Sequence, residues 1–193
     1  MNTVTDVAKV DTSNKEAHAK SLVAKMANAD TSALESFYHL FESTVYRFAL
    51  TKLNNPIDAA DILNEVMLEA WKSAHRFQGN SKVSTWLLSI TQFKAIDRIR
   101  KNQRHEHAEL PEVIEDDSES FGSLLEAASD AEQVKYCMEK LKDEHRSVLH
   151  MAFFEDMHYD DIAHVMECPA GTIKSRVYHA KNAMKDCLSR RVM

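Results

Sequence analysis

The last quarter of the chain carries side chains suited to contacts with nucleic acid. Ammonium, guanidinium, hydroxyl, phenol and imidazole groups recur there within eight residues. Lysine and arginine bind phosphate oxygens, and polar side chains on a helix can reach base edges in a groove. The sequence therefore predicts a DNA-contacting surface made of Lys174, Ser175, Arg176, Tyr178, His179 and Lys181.

Apolar residues place these groups on the free side of a helix-turn-helix. Just before them, Ile162, Ala163 and Met166 give a short helix one apolar face. Pro169 suits the first position of the next helix, because its missing N–H would be unpaired there anyway. The second helix has a buried stripe at intervals of four, three and four residues: Ile173, Val177, Ala180 and Met184. Such a unit can enter a major groove; the alternative is an ordinary helical hairpin with solvated lysines.

A second cationic cluster lies near the end of a predicted helix over 83–103. Its members fall within eleven residues: Lys94, Arg98, Arg100, Lys101 and Arg104. Asp97 is the one acid among them. Clustered cations on a helix are typical of nucleic-acid binding. The alternative is a solvated helix end whose late cations complement the helix dipole.

Carboxylates form a third charged row, on a predicted helix over 57–74. Spacings of three, four and four residues put them on one face, opposite a wide apolar face: Asp58, Asp61, Glu65 and Glu69. The row is suited to a basic partner protein. A merely solvated surface is the equal alternative.

Composition excludes several other classes of protein. Hydrophobic content of 44% with 28% charge fits a globular chain, and three Gly and three Pro disfavour an all-β fold. There is no apolar run of membrane-spanning length and no signal-peptide core, so we expect a cytoplasmic protein without membrane insertion. Three cysteines, an odd number, argue against a disulfide framework.

Ten histidines raise the alternative of a metal-dependent enzyme or metal sensor. His164 and Cys168 stand four residues apart, but no Cys-x-x-Cys accompanies them, and packing within the helix-turn-helix explains them better. The sequence shows no paired catalytic carboxylates, nucleophile triad or phosphate loop. We therefore expect no catalysis, no metal, no cofactor and no small-molecule substrate.

The net charge of −6 divides unevenly along the chain. Residues 105–133 hold ten acids and no lysine or arginine, so the flanking parts are slightly basic. The pattern predicts an all-α protein of two small helical domains joined by a flexible acidic linker. We assign 1–28 to an N-terminal tail, 29–104 to the first domain, 105–133 to the linker and 134–193 to the second domain.

These motifs resemble bacterial RNA polymerase sigma factors of the extracytoplasmic-function (ECF) group. The run from Asp58 to Met67 is similar to the region 2 pattern Asp-Ala-Glu-Asp-Leu-x-Gln-Glu-Val-Phe. Residues 77–81 and 86–100 are similar to Phe-Arg-Gly-x-Ser and to Trp-Leu-x-x-Ile-Ala-x-Asn-x-x-Ile-Asp-x-x-Arg. The stretch from Leu141 to Lys185 resembles region 4. Two motif sets in the family's order make the resemblance specific.

The resemblance implies a promoter-specificity subunit with three kinds of contact. Core RNA polymerase would be bound by Asp58, Asp61, Asn64, Glu65 and Glu69. The proximal promoter element would be bound by Gly79, Asn80, Ser81, Lys82, Lys94, Arg98, Lys101 and Arg104. The distal element would be bound by Thr172, Lys174, Ser175, Arg176, Tyr178, His179 and Lys181. A cognate anti-sigma factor, and a role in a stress response, are further expectations from the resemblance.

Some positions depart from the family pattern. Asn64 stands for the usual Gln, Phe93 for an Asn of the promoter-melting surface, His158 for a Ser or Thr cap and His179 for a frequent Arg. The alternative function is a sigma-like decoy that binds an anti-sigma factor without recognising a promoter. The retained cationic surfaces, and the lack of a receiver-length α/β segment, count against the decoy.

Overall fold

The computed structural model describes the backbone of residues 4–106 and 125–190, and the side chains of residues 14–102 and 132–190. The described residues form eight α-helices and no strand. The helices are α1 (Val4–Ala27), α2 (Thr31–Leu53), α3 (Pro56–Ser73), α4 (Val83–Glu106), α5 (Leu125–Glu139), α6 (Asp143–Phe153), α7 (Tyr159–Val165) and α8 (Ala170–Ser189). A single 3₁₀ turn, Ala74–Arg76, follows α3. None of these helices is both long and apolar enough to span a bilayer.

Helices α1–α4 form the first lobe around one apolar core. Their apolar faces meet at fully buried side chains, among them Phe37, Val45, Val66 and Leu87. Asp30 caps α2 by accepting a hydrogen bond from the Ser32 amide at 3.0 Å. Ser32 itself lies inside the first turn of the helix. Such a cap satisfies a backbone donor that the helix start would otherwise leave unpaired.

Residues 4–27 of the segment predicted as an N-terminal tail are helical in the structure. Within α1, Leu22, Val23 and Met26 are each at most 4% exposed and belong to the first-lobe core. The sequence shows no sustained helical period there, because Ala17 is the one apolar residue between positions 11 and 18. At the other side of the predicted linker, α5 already begins at Leu125, and residues 107–124 lie outside the described part of the chain.

Helices α5–α8 form the second lobe, which contains the predicted helix-turn-helix as α7 and α8. Ile162, Ile173 and Val177 lie in one buried cluster, as their spacing predicted. Pro169 precedes α8 as its N-cap and is not its first helical residue. In the turn, Glu167 has a φ of +50°, in the left-handed region. The reversal that this conformation produces sets the angle between the two helices.

A disulfide joins two of the three cysteines, contrary to the expectation from their odd number. Cys137 of α5 and Cys187 of α8 are bonded across a sequence separation of 50, with Cα atoms 5.8 Å apart. Cys168 is the free thiol. Cysteine count in a sequence does not reveal this pair, because only helix packing brings the two positions together.

The two lobes pack directly against each other. Phe48 of α2 and Leu88 of α4, both fully buried, belong to the core cluster of the second lobe. Beside them, Thr44 donates a hydrogen bond to Glu155 at 3.1 Å, and Arg47 forms an ion pair with the same carboxylate at 3.3 Å. The Glu155 side chain is only 9% exposed. A buried carboxylate held by groups of the other lobe makes this contact specific in orientation.

Candidate functional site

The outer face of α8 presents the predicted DNA-contacting side chains to solvent. Lys174, Ser175, His179 and Lys181 are exposed, and Tyr178 is 64% exposed. The buried stripe on the opposite side holds the helix onto α6 and α7. Because the apolar face of α8 is packed against the lobe, its polar face is left on the outside. A helix face in this position can enter a major groove.

Two residues predicted for this surface are half-buried, and one of them, Arg176, is engaged elsewhere. Arg176 is half-buried and pairs with Glu144 of α6 at 2.7 Å, and it also lies 3.6 Å from the Cys168 sulfur. Thr172 is half-buried at the start of α8, where its amide donates to the Pro169 carbonyl. Arg176 thus holds α8 against α6 in this structure instead of projecting beside Lys174.

The loop before α4 carries the predicted proximal-promoter contacts. Gly79, Asn80 and Lys82 are exposed and Ser81 is half-buried. Gly79 has a φ of +73°, which a residue with a Cβ rarely adopts, and nothing lies within 4 Å of where that Cβ would be. Backbone conformation, not lack of room, therefore explains glycine at this position.

The predicted phosphate row on α4 is split between two faces. Lys94 and Arg98 turn towards α3, where they contact the acidic row. Lys101 is 63% exposed and forms a within-helix pair with Asp97 at 2.8 Å. Arg104 lies in α4 but outside the residues whose side chains the structure describes. Sequence spacing had placed these cations in a single set.

The acidic row on α3 is likewise partly covered. Asp58 is 20% exposed at its side chain, whereas Asp61 and Glu65 are 58% and 46% exposed. Glu69 is half-buried and Asn64 is exposed. Partial burial opposes the charged form of Arg98, but its hydrogen bonds to Asp58 and Glu65 outweigh this, so the pKa of the guanidinium is raised.

Two large apolar side chains on the free face of α3 were missed from the sequence. Ile57 is 74% exposed and Leu68 is 53% exposed. With Asp61 and Asn64 between them, they recur at four, three and four residues and so share one side of the helix. This spacing is visible in the sequence, but neither residue was predicted to make a contact. Single exposed apolar side chains are common on protein surfaces, but these two lie on the same side of α3 as Asp61 and Asn64.

An apolar groove crosses the second lobe, with a volume of about 830 Å³. Its walls come from α5, α6 and α8, and include Met138, Leu149, Phe153 and Leu188. Lys181 lies over the Phe153 ring, with its ammonium 4.7 Å from the ring centroid. The Cys137–Cys187 bond ties the α5 wall to the α8 wall.

In the ranges with described side chains, no three His, Cys, Asp or Glu residues come together in a group that could hold a metal ion. His164 is exposed and Cys168 is half-buried, and the contact found for Cys168 is the guanidinium of Arg176.

Comparison with known proteins adds sequence evidence for both lobes. The family description Sigma-70 region 2 matches residues 37–105, and Sigma-70, region 4 matches residues 131–184. ECF RNA polymerase sigma factor SigK of Mycobacterium tuberculosis (strain ATCC 25618 / H37Rv) is 25% identical over 172 residues, which is 87% of this chain and 92% of that protein. ECF RNA polymerase sigma factor SigM of Bacillus subtilis (strain 168) is 28% identical over 167 residues, covering 82% of this chain and 97% of that protein.

Solved structures share the fold. The sigma factor RpoE in complex with the anti-sigma factor NepR from Bartonella quintana aligns with a TM-score of 0.67 at 23% identity, covering 80% of this chain and 96% of that one. CnrH in complex with the cytosolic domain of CnrY aligns with a TM-score of 0.64 at 18% identity, covering 90% of this chain and 98% of that one. The arrangement of the two helical lobes is therefore a known one.

Proposed function

This chain belongs to the sigma-70 family as an extracytoplasmic-function sigma factor, and we propose that it binds core RNA polymerase and directs it to specific promoters. The observation that carries the proposal is the arrangement of charge. One cationic helix face lies on each lobe, and a separate acidic and apolar face lies on α3. Two DNA-facing surfaces and one protein-facing surface are what a promoter-specificity subunit needs.

We propose that α8 reads the distal promoter element in the major groove. Lys174, Ser175, Tyr178 and His179 form the exposed centre of its outer face. A good base contact of this kind discriminates by about 1–3 kcal/mol against a wrong base. Lys181 suits a phosphate contact at the margin of this face, because it is exposed and further along the helix. We propose no direct DNA contact for Arg176, since Glu144 already engages it.

The proximal element is proposed to meet the loop over residues 79–82 and the exposed cations of α4. The loop backbone is open to solvent, and Lys82 adds a charge at its end. Unstacked bases are held by backbone and side-chain contacts that duplex DNA cannot make, which offsets the cost of melting. Phe93 is 73% exposed on α4 and provides an aromatic surface in place of the family's amide.

Core polymerase is proposed to dock on the free face of α3. The surface combines Asp61, Asn64 and Glu65 with the apolar groups of Ile57 and Leu68. Carboxylates at the margin of an interface mainly set orientation and association rate, whereas buried apolar side chains contribute more of the affinity. The proposed contacts of α3 therefore include two apolar side chains, Ile57 and Leu68, in addition to its charged groups.

Regulation by a cognate anti-sigma factor is part of the proposal. The sigma factor RpoE, a protein of similar fold, was solved in complex with the anti-sigma factor NepR. We further propose a cytoplasmic protein without enzymatic activity or cofactor, acting in a stress response. The family assignment supports these points, because sigma factors act through core polymerase and not through a reaction of their own.

Run-off transcription tests the proposal. Purified chain and bacterial core polymerase are incubated with fragmented genomic DNA, and the transcripts are sequenced. We expect discrete start sites that core polymerase alone does not produce. Lys174→Ala should lower initiation from one such promoter by about 5- to 150-fold, equivalent to about 1–3 kcal/mol.

Lys135→Ala is the matched control, because Lys135 is an exposed lysine of the same lobe on α5. It should leave initiation unchanged. Absence of any chain-dependent start site would refute promoter direction, and capture of an anti-sigma factor by such an inactive chain would favour the decoy function.

A further inference from the structure

The predicted polymerase-binding row and the predicted phosphate-binding row face each other. On α3, Asp58, Asp61 and Glu65 follow one another at three and four residues. On α4, Lys94 and Arg98 stand four residues apart, and Asn102 follows after four more. These spacings put each set on one face of its helix. The two faces meet between α3 and α4, where the cations of α4 contact the carboxylates of α3.

Arg98 lies at the centre of the contacts between α3 and α4. Its guanidinium hydrogen-bonds to Asp58 Oδ1, lies 3.0 Å from Glu65 Oε1 and lies 3.5 Å from Asp61 Oδ2. The remaining oxygens of the two outer carboxylates are also engaged. Asn102 donates to Asp58 Oδ2 at 3.3 Å. Lys94 lies 3.6 Å from Glu65 Oε2.

Because these side chains are partly buried, replacing their contacts to each other with contacts to DNA would cost free energy. The side chains of Arg98 and Asp58 are 21% and 20% exposed, and that of Lys94 is 25% exposed. A guanidinium forms several charge-assisted hydrogen bonds in a fixed fork, and leaving a partly buried carboxylate without its partner is unfavourable. Transfer of Arg98 to a DNA phosphate would remove a cation from three carboxylates at once. A single phosphate would not replace those contacts.

We propose that Arg98, with Lys94, is a positioning residue that orients the acidic row of α3 for polymerase docking and does not contact DNA. The proposal rests on the function proposed above and divides the cations of α4 by role. Lys101 keeps a phosphate role, because it is mostly exposed and its pair with Asp97 lies at the surface of the same helix. Exposed pairs of this kind contribute little and exchange readily.

The salt dependence of DNA binding separates the two roles. Each phosphate contact steepens the fall of log affinity with log salt by about 0.9 on duplex DNA. The full chain is titrated against a 40-bp duplex of mixed sequence at several salt concentrations. Lys101→Met should reduce the slope by about 0.9. Arg98→Met should leave the slope within error of the unchanged chain. A reduction by Arg98→Met equal to that of Lys101→Met would overturn the proposal.

Binding to core polymerase provides a readout that loss of folding stability does not explain. Arg98→Met and Asp58→Asn should each weaken core affinity about five-fold, or about 1 kcal/mol, because each removes the hydrogen bond between Arg98 and Asp58. The double variant should bind no more weakly than either single variant, because both changes break the same contact. Melting curves confirm that each variant is folded at the assay temperature.

Arg98→Lys keeps the positive charge but lacks the planar set of guanidinium donors. It serves as a second variant in case Arg98→Met does not fold. We expect it to weaken core binding as well, because one ammonium reaches fewer carboxylates. Core affinity equal to that of the unchanged chain in both Arg98 variants would overturn the positioning role. If the unchanged chain itself does not bind core polymerase, the proposed function fails instead.

Discussion

Reduction of the Cys137–Cys187 disulfide should destabilise the second lobe strongly. The bond joins α5 to α8, and Cys137 is 1% exposed within the lobe. Helix α5 makes its main tertiary contacts with α8. The disulfide is therefore the chief covalent constraint on where α5 lies, and with it one wall of the apolar groove.

The expected magnitude follows from the length of chain that the bond closes. For a sequence separation of 50, restriction of the unfolded chain corresponds to about 4 kcal/mol at 25 °C. Measured values for native disulfides are commonly about 2–4 kcal/mol. At about 4 °C for each kcal/mol, the melting temperature of the second lobe should fall by about 8–16 °C on reduction.

Thermal unfolding followed by circular dichroism, with and without a phosphine reductant, measures this change. Thiol titration of unfolded protein should find one free thiol before reduction and three after it. Cys168→Ser is the matched control, because Cys168 is the free cysteine; this variant should lose as much stability on reduction as the unchanged chain. The double variant Cys137→Ala, Cys187→Ala should melt at a low temperature with or without reductant.

A melting temperature that does not change on reduction, in protein shown to hold one free thiol, would refute the reasoning. It would mean that the apolar contacts of α5 with α8 alone hold that helix in place. Three free thiols in protein purified without reductant would show that the bond does not form.

Three more outcomes are expected. Glu155→Gln should weaken packing between the lobes by about 1–3 kcal/mol, because the ion pair between Arg47 and the buried Glu155 carboxylate is lost. Separation of the lobes would show as a larger radius of gyration in small-angle scattering. Tyr178→Ala should lower promoter affinity with core affinity unchanged, as competition binding would show, since the ring is exposed on the reading face. The free energy of unfolding should fall as the pH drops below about 6.5. Burial, with His179 nearby, lowers the pKa of His145 in the folded protein, so the unfolded chain binds a proton at this imidazole more tightly. His145→Gln should flatten this dependence in urea unfolding at pH 5.5 and 7.5.

The sequence by itself determined α3, α4, the helix-turn-helix and the family. Each of these depends on spacing within one element or on a short motif. The stripe from Ile173 to Met184 needs only the helical period to define a buried face. Asn55 and Pro56 begin α3 through local backbone chemistry, since the Asn55 side chain accepts hydrogen bonds from the next amides.

The tertiary structure alone decided which charges are free. Arg98 and Lys101 look alike in the sequence, yet one faces three carboxylates and the other faces solvent. Likewise Arg176 holds α8 to α6, and Cys137 meets a partner 50 residues away. The physical reason is that a periodic pattern specifies a face of a helix but not the neighbour that this face meets. That neighbour is chosen by how the helices pack, and it determines whether a charged side chain binds within the protein or binds a partner.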